Sequence, residues 1–119
     1  LIDFEDRLTL MDTLILCRFF RDIYPWERLG EIIEMTTGQK QDKAALRKRA
    51  AEISTLIRCF NIREGLKPED DNLPKRFYKE TLKSGHRIKK QELETMLQEY
   101  YNLRGWRKNG FPEVTPNIS

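Results

Sequence analysis

Apolar residues Phe4, Leu8, Met11, Ile15 and Phe19 recur at spacings of three or four along the first stretch of the chain, with Leu10, Leu14 and Cys17 in a second row beside them. That period places both rows on one wide face of a helix, which is expected to continue towards Pro25. Pro25 suits the first position of a second helix, with Trp26, Leu29, Ile32, Ile33 and Met35 on its apolar side and Gly38 as its C-terminal cap. After the polar Gln39-Lys40-Gln41 connection, Asp42 can cap a long third helix. Its Leu46, Ala50, Ile53, Ile57 and Phe60 keep seven-residue spacing, which predicts a helix to about Asn61.

Periodicity then lapses. Residues 65–74 hold Gly65, Pro68, Pro74 and the acidic run Glu69-Asp70-Asp71, a composition that predicts a long ordered loop with little helix. A short helical turn is expected near residues 75–79, and His86, beside Gly85 and Arg87, reads as a solvated loop residue. From Lys90 the helical period returns through Leu93, Met96, Leu97, Tyr100 and Leu103, with Gly105 where a cap belongs. Tyr100, Tyr101 and Trp106 read as core or lid, and residues 107–119, with Gly110, Pro112 and Pro116, as an extended tail. No strand pattern stands out. The expected fold class is therefore all-α, an irregular multi-helical bundle of about four main helices with a long ordered loop and an extended tail.

At 119 residues the chain has the size of one domain, residues 1–119, with a core that buries roughly two thirds of the unfolded surface. Lys and Arg number 22 against 19 Asp and Glu, a balance too even to point to a nucleic-acid or membrane partner. The two cysteines, Cys17 and Cys59, stand far apart and no signal-peptide or membrane-spanning pattern is present, so a reducing, cytoplasmic setting is expected rather than a disulfide scaffold. The start at Leu1, inside helical sequence and without an initiator methionine, suggests a fragment or a processed piece.

The stretch Met11-Asp12-Thr13-Leu14-Ile15-Leu16-Cys17-Arg18-Phe19 carries the most chemistry, because an aspartate and a cysteine interrupt an otherwise apolar run. Leaving even a neutral polar group buried and unpaired costs about 2–7 kcal/mol, so Asp12 needs a partner. On the expected helix, five residues at about 100° each set Asp12 and Cys17 about 140° apart, flanking a face that one large ligand could touch. Read blandly, Cys17 is a small packed hydrophobe and Asp12 a capping or solvated residue. Arg18 and Asp22 are spaced for an i,i+4 pair.

Two further blocks join this one. The first is Phe60-Asn61-Ile62-Arg63-Glu64-Gly65 running on to Asp70-Asp71-Asn72-Leu73-Pro74-Lys75-Arg76; the other is Glu99-Tyr100-Tyr101-Asn102-Leu103-Arg104-Gly105-Trp106 followed by Gly110-Phe111-Pro112. In order and gaps, across roughly residues 3 to 113, the three blocks resemble the C-terminal helical part of the tungsten-dependent aldehyde:ferredoxin oxidoreductases. The resemblance implies an enzyme that oxidises aldehydes to carboxylic acids at a tungsten, or occasionally molybdenum, ion held by two pterin dithiolenes. It also implies a neighbouring four-iron four-sulfur cluster that passes electrons to ferredoxin.

Carried onto this sequence, the resemblance makes Cys17 a thiolate ligand of one cluster iron and Asp12 a hydrogen-bond acceptor for a pterin ring, with Leu16 packing beside it. A thiolate is the soft ligand such clusters require, and an ionised carboxylate matches the amino and ring N–H donors of a pterin. The other cluster cysteines, the substrate pocket and the proton-transfer groups are expected in the N-terminal domains of the same parent chain. Ile15 stands where the family often has glycine, and Ala50-Ala51-Glu52-Ile53 where it tends to show Gly-Glu-Arg-Ile. An alternative is a stand-alone helical interaction module that keeps the fold without the cofactor. Arg63, Gly65 and the Asp70-Asp71 pair read as a structural lock, and Cys59 as a packed free thiol.

Overall fold

The computed structural model describes residues 1–81, 83, 85 and 87–116; His86 and the end of the expected tail lie outside them. Among the described residues the chain is all-α. Helix α1 spans Ile2–Thr13, α2 Trp26–Thr37, α3 Lys43–Arg63, α4 Arg76–Lys79 and α5 Lys90–Arg104, with short 3-10 helices at Arg18–Ile23 and Pro68–Asp70. None of the described helices is long and apolar enough to cross a membrane.

Local chemistry explains most of these boundaries. Asp42 accepts the Ala45 N–H at 2.8 Å through its side chain and the Leu46 N–H at 3.0 Å through its carbonyl, so α3 starts where the aspartate predicts. Gly38 and Gly105 both adopt left-handed φ, 72° and 68°, and end α2 and α5. Pro25 takes the N-cap of α2 instead of its first turn, accepting from Leu29 at 3.1 Å.

The first helix departs from expectation. It ends at Thr13, and residues 14–17 form a turn, so Asp12 and Cys17 do not share a helix. The Ile15 N–H donates to the Asp12 carbonyl at 3.1 Å and the Leu16 N–H to the Met11 carbonyl at 2.8 Å, with Ile15 at φ 57°. These two bonds and the left-handed residue form a Schellman motif, in which the residue after the turn folds back onto the helix's last apolar positions. Leu16 does this, packing half-buried against the core. Helical periodicity persisted past the real end because Ile15 and Phe19 happen to keep the spacing. They are 93% and 92% exposed.

The expected single domain is organised as two compact units, Leu1–Ile57 and Arg58–Thr115. The first is built on an apolar core of Leu10, Met11, Trp26, Leu29, Leu46 and Ala50, with Leu8, Leu14, Tyr24, Ile33 and Ile53 half-buried against it. Thr9 of α1 meets Ser54 of α3 at 3.4 Å, and the Trp26 indole donates to Asp3 at 3.2 Å. Gly30 is needed where α2 runs close to the loop before α3, because a Cβ there would stand 3.0 Å from the Gln41 carbonyl oxygen.

A polar lock holds the second unit. Arg58, on α3, grips Asp71 through two guanidinium nitrogens, one of them Nη1 to Oδ1 at 2.8 Å, and donates from Nε to the Gly110 carbonyl at 3.0 Å. The Tyr101 hydroxyl donates to the same Asp71 at 2.5 Å, and Arg58 lies over the Trp106 ring, 5.4 Å from its centroid. The lock anticipated around Arg63 therefore uses Asp71 but a different arginine. Arg63 donates to its neighbour Glu64 and lies over Phe60, leaving the long-range grip to Arg58 one helical turn and a residue earlier.

The start of the tail expected from residue 107 folds back through residues 107–112 instead of running extended. Trp106 pairs with Pro112 in an isolated bridge, and the Arg107 N–H donates to the Phe111 carbonyl at 2.8 Å. Gly110, at φ 74°, allows the close return: a Cβ there would lie 2.7 Å from Arg58 Nη2 and 2.8 Å from the Tyr101 ring. Cys59 is half-buried, as a packed thiol should be, with its sulfur 3.9 Å from the Thr115 hydroxyl.

Candidate functional site

The residues singled out in the opening block fall on one short turn of the first unit. Asp12 lies in the last turn of α1, Leu16 follows the left-handed Ile15, and Cys17 caps the start of the 3-10 helix in extended conformation, φ −71° and ψ 122°. Leu16 is anchored on the core, whereas Asp12 and Cys17 are exposed. The backbone thus presents a carboxylate and a thiol from the two sides of a turn whose centre is pinned by a leucine.

Asp12 does find a partner, and it is Arg18. Arg18 Nε donates to Asp12 Oδ1 at 2.8 Å while Nη2 engages Oδ2, a two-point grip that spans the turn. The spacing that suggested a pair between Arg18 and Asp22 is not used; Asp22 instead lies 3.9 Å from Arg21 Nε. The Arg18 hydrogen bonds, opposed by a little desolvation and aided by the arginine's charge, hold the Asp12 carboxyl below its ordinary range. Asp12 is consequently an anion at neutral pH. Each carboxylate oxygen has two acceptor positions, so a bidentate arginine still leaves room for further donors.

Exposed apolar residues stand near Cys17 in the sequence, beside the charged Arg18. Ile15, Phe19, Phe20 and Ile23 all keep more than half of their surface in solvent. Among the described residues no group of three or more His, Cys, Asp and Glu converges to hold a metal ion. A cubane cluster commonly takes four thiolates, so this turn fits as the donor of one soft ligand and one anionic acceptor, not as a whole metal site.

In the second unit, an open cleft of about 270 Å³ runs over the Asp71 lock, lined by Asn72, Leu93, Glu94, Leu97, Gln98 and Lys108 among others. Burial works to raise the Asp71 pKa, but the hydrogen bonds from Arg58 and Tyr101, with the Arg58 charge, outweigh it and leave the carboxyl below its ordinary value. The Tyr101 hydroxyl is pushed up to about 12, first by burial and then by its bond to Asp71 and that residue's charge. An ionised carboxylate satisfied on both oxygens by side chains of its own unit serves packing, which is the structural role expected for this block.

Sequence reasoning missed Arg18 and Arg58. For Arg18 the signal lay in the turn: the left-handed Ile15 ends α1 and carries residue 18 back towards residue 12, and isoleucine does not announce such an end as glycine would. For Arg58 there was none, because Asp71 and Gly110 reach it only through the tertiary fold.

A family model described as aldehyde ferredoxin oxidoreductase, domains 2 and 3, matches residues 1–115. The chain is 33% identical over 115 residues to a tungsten-containing aldehyde ferredoxin oxidoreductase of Pyrococcus furiosus, covering 92% of this chain and 18% of that protein. It is 32% identical, with the same coverage, to the protein of that description from Thermococcus kodakarensis, and 30% identical over 112 residues to that of Pyrococcus horikoshii. The chain thus spans 18% of the length of these curated relatives. No solved structure matches it with significance.

Proposed function

The chain belongs to the aldehyde ferredoxin oxidoreductase family, and from that premise we propose that it forms the C-terminal helical part of an enzyme oxidising aldehydes to carboxylic acids. The electrons leave through a four-iron four-sulfur cluster to ferredoxin, and the rest of the same polypeptide supplies the remaining ligands. Tungsten, with molybdenum as the occasional substitute, held by two pterins, supplies the redox chemistry when bound.

Within that scheme the residues of this chain bind and orient. Cys17 would hold one cluster iron as a thiolate. Asp12 would accept hydrogen bonds from pterin N–H groups, a task for which its depressed pKa keeps it ionised. Leu16, seated on the core, fixes the height of the turn between them. The apolar residues around Cys17 would keep water from the sulfur once covered, and fewer hydrogen bonds to a cluster sulfur change its potential.

The observation that carries the reading is the match of residues 1–115 to the family model, which includes the Asp12-to-Cys17 block; the Cys17 thiol itself, expected to point inward, stands exposed on the turn. The test is the full-length gene product purified without oxygen. Tungsten and iron measured by plasma mass spectrometry are expected in the wild type, with an electron paramagnetic resonance signal of the reduced cluster that Cys17→Ser removes or reshapes. An unchanged signal in that variant would overturn the assignment. Ile15 in place of the family's usual glycine favours a second reading, a helical interaction module without cofactor, and a wild-type protein free of both metals would establish it.

A further inference from the structure

The Arg18 side chain bridges the two arms of the candidate turn. It follows Cys17 directly, and its guanidinium closes on both oxygens of Asp12 across the left-handed Ile15. The Ile15 N–H to Asp12 and Leu16 N–H to Met11 bonds fold the backbone of the turn, between the Leu14 N–H to Leu10 bond before them and the Phe20 N–H to Cys17 bond after. Arg18 supplies the side-chain hydrogen bonds that fix the Asp12 carboxylate among the described residues, and it adds a polar tie to α1 beside the apolar packing of Leu14, Leu16 and Tyr24 on the core.

We propose that Arg18 is a positioning residue of the cofactor site: by gripping Asp12 it orients the carboxylate that accepts from the pterin and ties that acceptor to the arm bearing Cys17. The inference rests on the reading given above and extends it to a residue that would touch neither pterin nor iron. Planar, two-point geometry is essential to the role. A lysine keeps the charge but offers a single mobile donor group, so it cannot define the plane of the carboxylate. Groups that orient a ligand from behind commonly change metal affinity by about 10–100-fold when removed.

The experiment is a double-mutant cycle in the anaerobically purified full-length gene product, reading tungsten retained per protein after dialysis together with the thermal melting curve. Arg18→Gln is expected to cut tungsten retention by about tenfold, and Arg18→Lys to restore only part of it. Asp12→Asn is expected to lower retention as well, and Arg18→Gln placed on top of Asp12→Asn to add nothing, because the arginine acts through the aspartate. Losses that simply add, or full rescue by lysine, would overturn the positioning role. So would a tungsten loss matched by an equal fall in melting temperature in every variant, since that marks general destabilisation. Cys17→Ser serves as the separate control: if it leaves the cluster signal untouched, the underlying cofactor reading fails and the role of Arg18 with it, whereas a lost signal beside an unaffected Arg18→Gln protein removes this inference alone.

Discussion

Ile15 concentrates more conformational cost than any other residue of the first unit. It is the one non-glycine residue at positive φ among the described residues, it is β-branched, and it buries almost nothing. The left-handed conformation costs an L residue about 1–2 kcal/mol, whereas the additional unfolded-state freedom of glycine costs about 0.4–1. Relief of strain wins, because there is no packing to lose. Ile15→Gly is therefore expected to stabilise the chain by about 1 kcal/mol, seen as a higher urea midpoint with an unchanged slope. Tyr101 supports a pH prediction. Its hydroxyl titrates near 12 in the fold and near 10 when unfolded, so the protonated form is preferred by the native state. The associated stability is complete below about pH 10 and is lost as the pH climbs through about 12. Alkaline unfolding curves should show that loss in the wild type and lack it in Tyr101→Phe, with ultraviolet difference absorbance reporting the ionisation.

At the scale of elements, capping decided what was legible. Both ends of α2, the start of α3 and the end of α5 coincide within a residue or two with Pro25, Gly38, Asp42 and Gly105, because each of these acts on backbone groups only a few positions away. Asp42→Ala removes the 2.8 Å bond to the Ala45 N–H and is expected to cost about 1 kcal/mol, with loss of the first turn of α3 visible by circular dichroism and a lower melting temperature. The end of α1 carried no such marker. A capping motif normally announced by glycine was formed around isoleucine, and apolar spacing ran on through it. The return of residues 106–112 was hidden in another way: its Gly110 is read correctly only when Arg58 and Tyr101 are known to stand against it.

At the scale of the molecule, the role proposed for Cys17 is that of one contributor to a site completed elsewhere. The chain has two cysteines, one in each unit, and no convergent set of metal-binding side chains among the described residues. Produced alone, the 119-residue chain is expected to be colourless, to retain no iron on anaerobic purification, and to oxidise no aldehyde; an absorbance spectrum with metal analysis checks this. The helical class, the order of the main helices, most of their caps and the family are determined by the sequence itself, since periodicity, capping and a run of motif residues are local properties that survive without coordinates. The tertiary structure alone decided that Asp12 belongs to Arg18 and Asp71 to Arg58, that the chain forms two compact units, and that the turn leaves Cys17 in the open. Those outcomes depend on which oppositely charged and apolar groups meet after the chain has folded back, and distance along the sequence carries no information about such meetings.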